Sequence, residues 1–482
     1  MKTLREIIMF GILVTTIIST VAVKGQEIDR TKRPEGKPAP KITLPEIQKA
    51  TLKNGLKVWL VERHGLPTVA FNLVIQAGSD HDPATQPGIA SMTADMLDEG
   101  TKTRTSLQIS DEIESIGASF NMSANWDGSF VTLSSLTKYL DKALAVFTDV
   151  LTNPTFPEKE FKRIQKQRLT NLLQQRDQPV AIANISFAHI LYGSDHPYGN
   201  NIMGTEPSLK AMTVNDLMKF YQTYYRPNNA TLIVVGDVKL SDITSKLKGA
   251  LSDWKSGDIP AFSVPEPKPV DKMRVYLIDK PGAPQSEIRI GYPALARSTP
   301  DFFPVSIMNR LLGGQFTSRI NLNLRERHGY TYGARSAFSF QKGVGPFTAS
   351  AGVVTEKTDS SVHEFLVEIN RMHDKGMNTE ELAYVKKGLI GSFALTFETS
   401  AQIAGALQNI VLYGLPENYY RNYLQNIEAV TLDDVNRVAL KYLDASTMAI
   451  VVVGDLAKVK EGVAALKLGD VVICDVDGNP VK

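Results

Sequence analysis

Residue types that bind metals or act as nucleophiles are few in this sequence, and their spacing assembles no site. Cys474 is the only cysteine, which excludes an internal disulfide, a Cys-based zinc site and an iron–sulfur cluster. Histidines stand at positions 64, 81, 189, 196, 328, 363 and 373. None of them has the i, i+4 partner that would place two imidazoles on one helix face. The spacing therefore predicts no metal centre.

Two other patterns carry residue types suited to chemistry. Asp95, Asp98 and Glu99 would offer carboxylates to a metal near His81, but acidic residues on an exposed helix face are usually only solvated. We therefore interpret these three acidic residues as part of a solvated helix face and not as metal ligands. Gly313-Gly314 has the composition of a phosphate-binding loop, yet no Gly-Lys-Ser/Thr follows it. A tight loop that enters a helix is the favoured interpretation.

The length and the charge balance of the chain limit the classes of protein to which it can belong. A chain of 482 residues exceeds one compact core, so two or more domains are expected. Hydrophobic residues make up 43% and charged residues 22%, which is typical of a folded globular protein. Lys plus Arg number 53 against 51 Asp plus Glu, without a long basic block, and this disfavours a nucleic-acid binder.

The first 25 residues predict an export signal. Lys2 and Arg5 precede an apolar run from Ile7 to Val23, and small residues near Ala22–Gly25 suit cleavage. The alternative is an uncleaved N-terminal anchor, because the run approaches membrane-spanning length. No second apolar run of that length follows. We therefore expect an exported, periplasmic protein with no membrane attachment beyond the leader.

The chain repeats itself at an offset of about 217 residues. Lys57–Gly65 matches Arg274–Gly282 by residue class, and Thr213–Asp237 matches Thr431–Asp455 without a gap. Matches near both ends of each unit predict two domains built to one plan. The predicted division is a signal peptide at 1–25, an N-terminal extension at 26–46, a first domain at 47–256, a proline-rich linker at 257–272 and a second domain at 273–482.

Local periodicities mix strands with helices in each half. Val69–Ile75 alternates as a half-buried strand does. Pro87–Gly100 predicts a helix, with proline in its first turn and glycine at its C-terminal cap. Tyr139–Leu151 and Glu158–Arg176 predict longer amphipathic helices. The order indicates an α+β class of two tandem homologous α/β sandwich domains, each a largely antiparallel sheet with helices on one face.

Several motifs, in order and spacing, carry a family resemblance over nearly all of the mature chain. They are Gly78-Ser79-Asp80, Pro87–Ala90, Glu99–Thr101, His196–Gly199, and Leu324–Glu326 with Tyr332. The sequence resembles the pitrilysin and mitochondrial processing peptidase family of inverted-motif zinc peptidases. The resemblance implies a clamshell of two domains around a chamber. In active members the helix that corresponds to Pro87–Thr101 carries His-x-x-Glu-His, whose histidines bind zinc and whose glutamate activates water.

This chain departs from the family at the metal site. The positions that match His-x-x-Glu-His are Ser91 to Asp95, so both imidazoles are missing and Ala94 stands where the general base would be. The resemblance places the third ligand, a glutamate in active members, at Asn171. Neutral serine and asparagine oxygens do not replace imidazole and carboxylate at zinc. We therefore expect Ser91, Ala94, Asp95 and Asn171 to form a degenerate site, with no metal or other cofactor in this chain.

The resemblance assigns roles to two residues of the second half. Tyr332 would donate a hydrogen bond to the scissile carbonyl as it becomes an oxyanion, and Arg325 would hold a neighbouring backbone carbonyl of the substrate. Packing alone also accounts for them, since arginine suits a helix C-terminus and tyrosine suits a strand. His196 is interpreted as a loop histidine with satisfied hydrogen bonds.

These residues favour the zinc-free subunit of a heterodimeric metallopeptidase, inactive by itself. It would supply Arg325 and Tyr332 in trans to a homologous subunit that carries the zinc, and the chamber would admit short, unfolded peptides. The alternative is a non-catalytic scaffold, assembly or peptide-binding protein of the same family. A peptidase active alone would need metal ligands that this sequence lacks.

Overall fold

The computed structural model describes residues 46–481, which fall within one compact unit. The predicted signal peptide and nearly all of the predicted N-terminal extension lie outside the described residues. Between residues 46 and 481, no helix combines the length and the apolar character needed to cross a membrane.

The first half contains a six-stranded sheet and eight α-helices among its described residues. Its strands are β1 (Gln48–Thr51), β2 (Lys57–Glu62), β3 (Thr68–Ile75), β4 (Ser119–Ala124), β5 (Ser129–Leu136) and β6 (Ala230–Gly236). Its helices are α1 (Ile89–Asp95), α2 (Ser106–Ser115), α3 (Leu140–Thr152), α4 (Glu158–Gln175), α5 (Pro179–Tyr192), α6 (Glu206–Ala211), α7 (Val214–Tyr224) and α8 (Leu240–Ala250).

The second half repeats this order. Its strands are β7 (Arg274–Asp279), β8 (Gln285–Leu295), β9 (Thr331–Phe338), β10 (Gly345–Val354), β11 (Ala449–Gly454) and β12 (Asp470–Cys474). Its helices are α9 (Phe302–Leu312), α10 (Arg319–Asn321, continued by a π-helix at Leu322–Arg327), α11 (Thr358–Lys375), α12 (Thr379–Phe393), α13 (Ser400–Tyr413), α14 (Tyr423–Ala429), α15 (Leu432–Tyr442) and α16 (Leu456–Ala465).

The two sheets have equivalent topologies, β1-β2-β6-β3-β5-β4 and β12-β7-β11-β8-β10-β9. Their central parallel pairs keep the same register, with Val58 opposite Leu232 in the first and Val275 opposite Ile450 in the second. The outer strands differ, because β1 runs antiparallel to β2 whereas β12 runs parallel to β7. Apart from these parallel pairs, neighbouring strands run antiparallel. The predicted α+β class is confirmed.

The same capping sequence begins an equivalent helix in each half. Thr213 accepts a hydrogen bond from the Asp216 backbone N–H while the Asp216 carboxylate accepts one from the Thr213 N–H, and this capping box begins α7. Thr431 and Asp434 form the same box at α15. Helix α7 then packs on α1 and helix α15 packs on α9 and α11, and their apolar residues join the two main cores that contain Leu232 and Val452.

The opposite face of each sheet is covered by one helix from the other half. Helix α13 packs on β3 and β6 of the first sheet, and its Leu407 lies in one apolar cluster with Val61 and Ile233. Helix α5 packs on β8 and β11 of the second sheet, where its Phe187 joins Val451. The halves are therefore interlocked by an exchange of helices.

This exchange corrects the prediction of a half-buried strand at Val69–Ile75. Every one of these residues is buried, because helices cover both faces of the sheet at β3. The helix predicted at Pro87–Gly100 is also shorter and spans Ile89–Asp95. It begins late because Gly88 adopts a left-handed conformation with φ of 93° and approaches the backbone of Gly204 too closely for a side chain.

Candidate functional site

The degenerate positions of the first half line a cavity of about 510 Å³. Helices α1 and α4 and the edge strand β4 form its walls. Ser91, Asp95 and Asn171 all face it, so the structure brings together three of the four residues that the sequence selected. The fourth, Ala94, is fully buried in the core of the first half. The cavity therefore lies at the positions to which the resemblance assigns the zinc ligands.

Arg168 occupies the space between the two former histidine positions. Its Nη1 donates to Ser91 Oγ at 2.9 Å and to the Met203 carbonyl at 3.2 Å, and its Nη2 donates to Asp95 Oδ2 at 2.6 Å. Ser91 Oγ in turn donates to the Ile202 carbonyl at 2.6 Å. Arg168 is only 4% exposed. A fixed guanidinium thus links the residues that would otherwise face a metal ion.

Further charges surround this arginine. Arg163 donates to Glu99 Oε1 at 2.6 Å and to Glu160 Oε2 at 2.7 Å, and these carboxylates raise the pKa of the Arg163 guanidinium. Asp98 lines the same cavity, and burial, with smaller contributions from Glu99 and Asp95, raises the pKa of its carboxyl to about 6. Asp98 is therefore partly protonated near neutral pH.

The residues at this position do not fit zinc. Ser91 and Asn171 provide neutral oxygens, and the Asp95 carboxylate is already paired with the Arg168 guanidinium, whose charge would repel a cation. Among residues 46–481, no group of three or more His, Cys, Asp or Glu is arranged to hold a metal ion. His81, considered above as a neighbour of the acidic residues, instead pairs with Asp80 and packs against Tyr224 and Phe262.

In the second half, Arg325 lies in a π-helix. The His328 N–H donates to the carbonyl of Asn323, five residues earlier, which is the hydrogen-bond pattern of this wider turn. The Arg325 guanidinium lies 4.6 Å from the ring centroid of Phe316 and 3.5 Å from Glu326 Oε1, and the side chain is 34% exposed. The sequence predicted an ordinary helix here, since spacing alone does not distinguish an α-turn from a π-turn.

Tyr332 lies on a β-bulge of the edge strand β9. Thr331 pairs with Val353 and Ala334 with Ala351, so Tyr332 and Gly333 together oppose one residue of β10. The Thr331 hydroxyl stabilises the bulge by donating to the Gly352 carbonyl at 2.7 Å and accepting from the Gly333 N–H at 3.0 Å. Tyr332 is 90% exposed. Its side chain is therefore accessible to a ligand.

Tyr332 and Phe316 line a second cavity, of about 540 Å³. Val180 of helix α5 contributes to its wall, so residues of both halves form it. Within it, Arg289 donates to Glu287 Oε2 at 2.9 Å, and this buried pair faces Arg335. Arg325 does not line the cavity and reaches it only through Phe316. The structure thus places Tyr332 at this cavity and Arg325 beside it.

Sequence reasoning missed Arg168, although a signal was available. Arg168 lies three residues before Asn171 on α4, so both project from one helix face. An arginine on the helix face that would carry a metal ligand introduces a buried positive charge. Only an acidic partner would neutralise this charge, so a carboxylate nearby was to be expected. His196 has the satisfied geometry expected of it: Nδ1 accepts from the Tyr198 N–H at 3.0 Å, and Nε2 donates to the Pro265 carbonyl at 2.9 Å.

Family models match both halves of the chain. Residues 57–206 match the model described as Insulinase (Peptidase family M16), and residues 211–389 match the model described as Peptidase M16 inactive domain. These matches cover the first cavity together with Arg325 and Tyr332.

Full-length relatives are similar but carry different descriptions. The chain is 26% identical to the non-peptidase homolog YmxG of Helicobacter pylori, across 83% of this chain and 92% of that protein. It is 27% identical to an uncharacterized zinc protease of Rickettsia felis, across 83% and 96%. The crystal structure of a peptidase M16 inactive domain from Pseudomonas fluorescens superposes with a TM-score of 0.79 at 28% identity, across 85% of this chain and 98% of that one.

Proposed function

This chain is a member of peptidase family M16 without the zinc ligands, and from that premise we propose that it is the zinc-free subunit of a heterodimeric metallopeptidase. One observation carries the proposal: the first half has a guanidinium between the former ligand positions, whereas the second half keeps an exposed tyrosine on an edge strand. A catalytic centre in this pair would be assembled from the partner's zinc and this subunit's second half.

Tyr332 is the catalytic residue of this proposal. Its hydroxyl donates a hydrogen bond to the carbonyl oxygen of the substrate as negative charge develops there. The bulge turns the side chain away from the sheet, which leaves the hydroxyl without a competing partner in the described part of the chain. Arg325 holds a neighbouring carbonyl of the peptide, and its stacking on Phe316 limits the rotamers of the guanidinium.

Short, unfolded peptides are the substrate class that suits these edges. Strands β4 and β9 end the two sheets, and each borders one of the cavities described above. An extended peptide backbone pairs with such an edge through main-chain hydrogen bonds, which a folded protein does not offer. The bound peptide would extend from β9 toward the partner's metal.

The proposal is tested by reconstitution. The purified chain and a homologue from the same genome with an intact His-x-x-Glu-His are assayed separately and mixed, with an unstructured peptide as substrate. We expect cleavage only from the mixture and zinc only in the homologue, measured by metal analysis. Cleavage by this chain alone, or no complex between the two, would contradict the proposal.

Substitution of Tyr332 by Phe in the reconstituted pair tests the catalytic assignment. Loss of one oxyanion donor lowers kcat by about 10²- to 10³-fold. Tyr384→Phe is the matched control, because Tyr384 is also partly exposed in the second half and its hydroxyl is hydrogen-bonded to Thr317. Unchanged turnover in Tyr332→Phe would favour the alternative, a scaffold or peptide-binding protein, which the description of the Helicobacter pylori relative as a non-peptidase homolog supports.

We also propose that the chain acts in the periplasm after removal of residues 1–25. Support comes from the charged start and the apolar run of the leader. Fractionation of cells that express the full chain, with mass analysis of its N-terminus, tests this. Recovery of the uncleaved chain in the membrane fraction would show that the leader is an anchor.

A further inference from the structure

The second half has a cavity where the repeat places the counterpart of the zinc-type cavity. In the first half that cavity lies between α1, α4 and the segment before α6. In the second half a cavity of about 430 Å³ lies between α9, α12 and the segment leading into α14, and α13 adds a wall that the first half lacks. This volume is in the range of pockets that enclose small ligands. Seven of its twelve lining residues are aromatic, and the lining comprises Arg297, Phe302, Phe340, Leu389, Ser392, Phe393, Thr396, Asn409, Tyr413, Tyr419, Tyr420 and Tyr423.

Arg297 is the only charged residue in this lining. Its guanidinium carbon lies 3.7 Å from the ring centroid of Phe302 and 5.1 Å from that of Tyr419, and Nη2 donates to the Tyr419 hydroxyl at 2.7 Å. No carboxylate within residues 46–481 lies at ion-pair distance from it. A guanidinium has five N–H donors, so most of them are left for a ligand.

The tyrosines around Arg297 do not neutralise it. Burial raises the pKa of the Tyr413, Tyr419, Tyr420 and Tyr423 hydroxyls above their ordinary value. They therefore remain protonated at physiological pH. The Tyr413 hydroxyl is hydrogen-bonded to the Asp127 carboxylate, and the other three hydroxyls lie beside the guanidinium. The cavity combines one uncompensated positive charge, several hydroxyl donors and flat apolar walls, such as the stacked rings of Phe393 and Tyr423, whose centroids are 4.9 Å apart.

We propose that this cavity binds a carboxylate next to an aromatic ring, as in the C-terminal residue of a peptide that ends in phenylalanine or tyrosine. The carboxylate accepts hydrogen bonds from the free edge of Arg297, and the ring packs among Phe302, Phe340 and Phe393. The inference does not depend on the proposed peptidase role. The site lies in this chain and requires neither the partner nor its metal.

Isothermal titration calorimetry with the purified full chain tests the ligand chemistry. N-acetyl-phenylalanine is the probe, N-acetyl-phenylalanine amide lacks the carboxylate, and N-acetyl-alanine lacks the ring. Removing the charge is expected to weaken binding about 10- to 100-fold, the range for hydrogen bonds to charged groups. Removing the ring is expected to weaken it by a similar factor, because its burial is lost. Equal affinity of acid and amide, or no heat of binding from the acid, would overturn the proposal.

The source of the ligand is distinguished by a second titration. A pentapeptide ending in a free phenylalanine is compared with N-acetyl-phenylalanine and with the same pentapeptide carrying a C-terminal amide. Tighter binding of the free pentapeptide than of the small acid identifies peptide ends as the natural ligand, which we expect. Exclusion of the pentapeptide while the small acid binds would overturn that identification and leave a free aromatic acid.

Two variants locate the site. Arg297→Gln should weaken binding of the acid about 10- to 100-fold and leave binding of the amide unchanged. Arg421→Gln is its control, because Arg421 is exposed and lies outside the cavity lining. Ser392→Trp blocks the rim from an exposed helix position and should abolish binding without lowering Tm, with Ser392→Ala as its control. Full affinity in both Arg297→Gln and Ser392→Trp would show that the acid binds elsewhere.

Discussion

In the first half, the cavity between α1 and α4 holds a guanidinium together with its carboxylate, whereas in the second half the cavity between α9 and α12 holds a guanidinium among aromatic rings. Arg168 is buried, and both of its terminal nitrogens donate hydrogen bonds, which leaves only its Nε without a partner among the described residues. Arg297 is stacked on aromatic rings, and one of its terminal nitrogens donates to Tyr419. The repeat thus determines where a cavity forms, and a few side chains determine its chemistry. In the first half the guanidinium is paired within the fold, whereas in the second half we propose that it is available to a ligand.

Restoring the metal ligands is the strongest test of this difference. The triple variant Ser91→His, Asp95→His and Asn171→Glu supplies the family's ligand set but keeps Arg168. We expect it to bind no stoichiometric zinc, because the guanidinium lies between the two new imidazoles. Adding Arg168→Ala should allow about one zinc per chain. Metal analysis after dialysis measures both.

Equal zinc content in the two variants would show that Arg168 does not block the position. Arg168→Ala alone is the control for the fold. It leaves Asp95 half exposed, so water replaces part of the lost ion pair, and urea unfolding should show a loss of about 2 kcal/mol.

The exchanged helices should be equally important to both halves. Phe187→Ala on α5 and Leu407→Ala on α13 each open a cavity in an apolar cluster that joins the halves, and the expected losses in the free energy of unfolding are about 3–5 and 2–5 kcal/mol. Leu395→Ala, at a 57% exposed position, should cost little. Denaturant unfolding followed by tryptophan fluorescence measures all three. A large loss for only one helix would mean that the halves are not reciprocal supports.

The acidic residues near α1 and α9 should give opposite pH dependences. Burial raises the pKa of Asp82 to about 7, so its contribution to stability is full below about pH 4 and is lost as pH rises toward 7. Burial also acts to raise the pKa of Asp301, but hydrogen bonds from Arg437, Tyr442 and Lys441 together outweigh it and lower that pKa to about 2. Its contribution is full above about pH 4 and is lost as pH falls toward 2.

Asparagine variants separate these two effects. Asp82→Asn should flatten the decline of the urea midpoint between pH 4 and 7, because the titrating group is gone. Asp301→Asn should lower stability at pH 7 by about 2 kcal/mol and have little effect near pH 2. Parallel pH profiles for the two variants would contradict the assignment of opposite shifts.

Much of the fold follows from the sequence because the repeat and the capping signals are local. Thr213 and Thr431 begin equivalent helices, and the matching segments Val234–Asp237 and Val452–Asp455 end the equivalent strands β6 and β11. The burial of both faces of β3 was not predictable in this way. It depends on α13, more than 300 residues later in the chain, and periodicity within one strand carries no information about which helix covers it.

The site was predictable only in part. The loss of ligands at Ser91, Asp95 and Asn171 can be read directly, since the residue types decide the chemistry. The bulge that exposes Tyr332 could not be predicted, because it depends on the register between two strands. The position of Arg168 on the face of Asn171 was visible in the sequence, but its pairing with Asp95 depends on the contact of two helices that are distant in the chain. The aromatic cavity gathers residues from five separate segments, which no local pattern connects.

The exchange of α5 and α13 also constrains how the protein is made. One face of the first sheet, which includes Val61, Val74 and Ile233, is covered by helix α13, and this helix ends at Tyr413. At ribosomal rates, roughly 10–35 seconds separate the synthesis of β6 from that of α13. During that interval a folded first sheet would expose an apolar surface, which would promote aggregation or bind a chaperone. Because each half covers a sheet face of the other, we expect neither half to be stable as a separately expressed fragment.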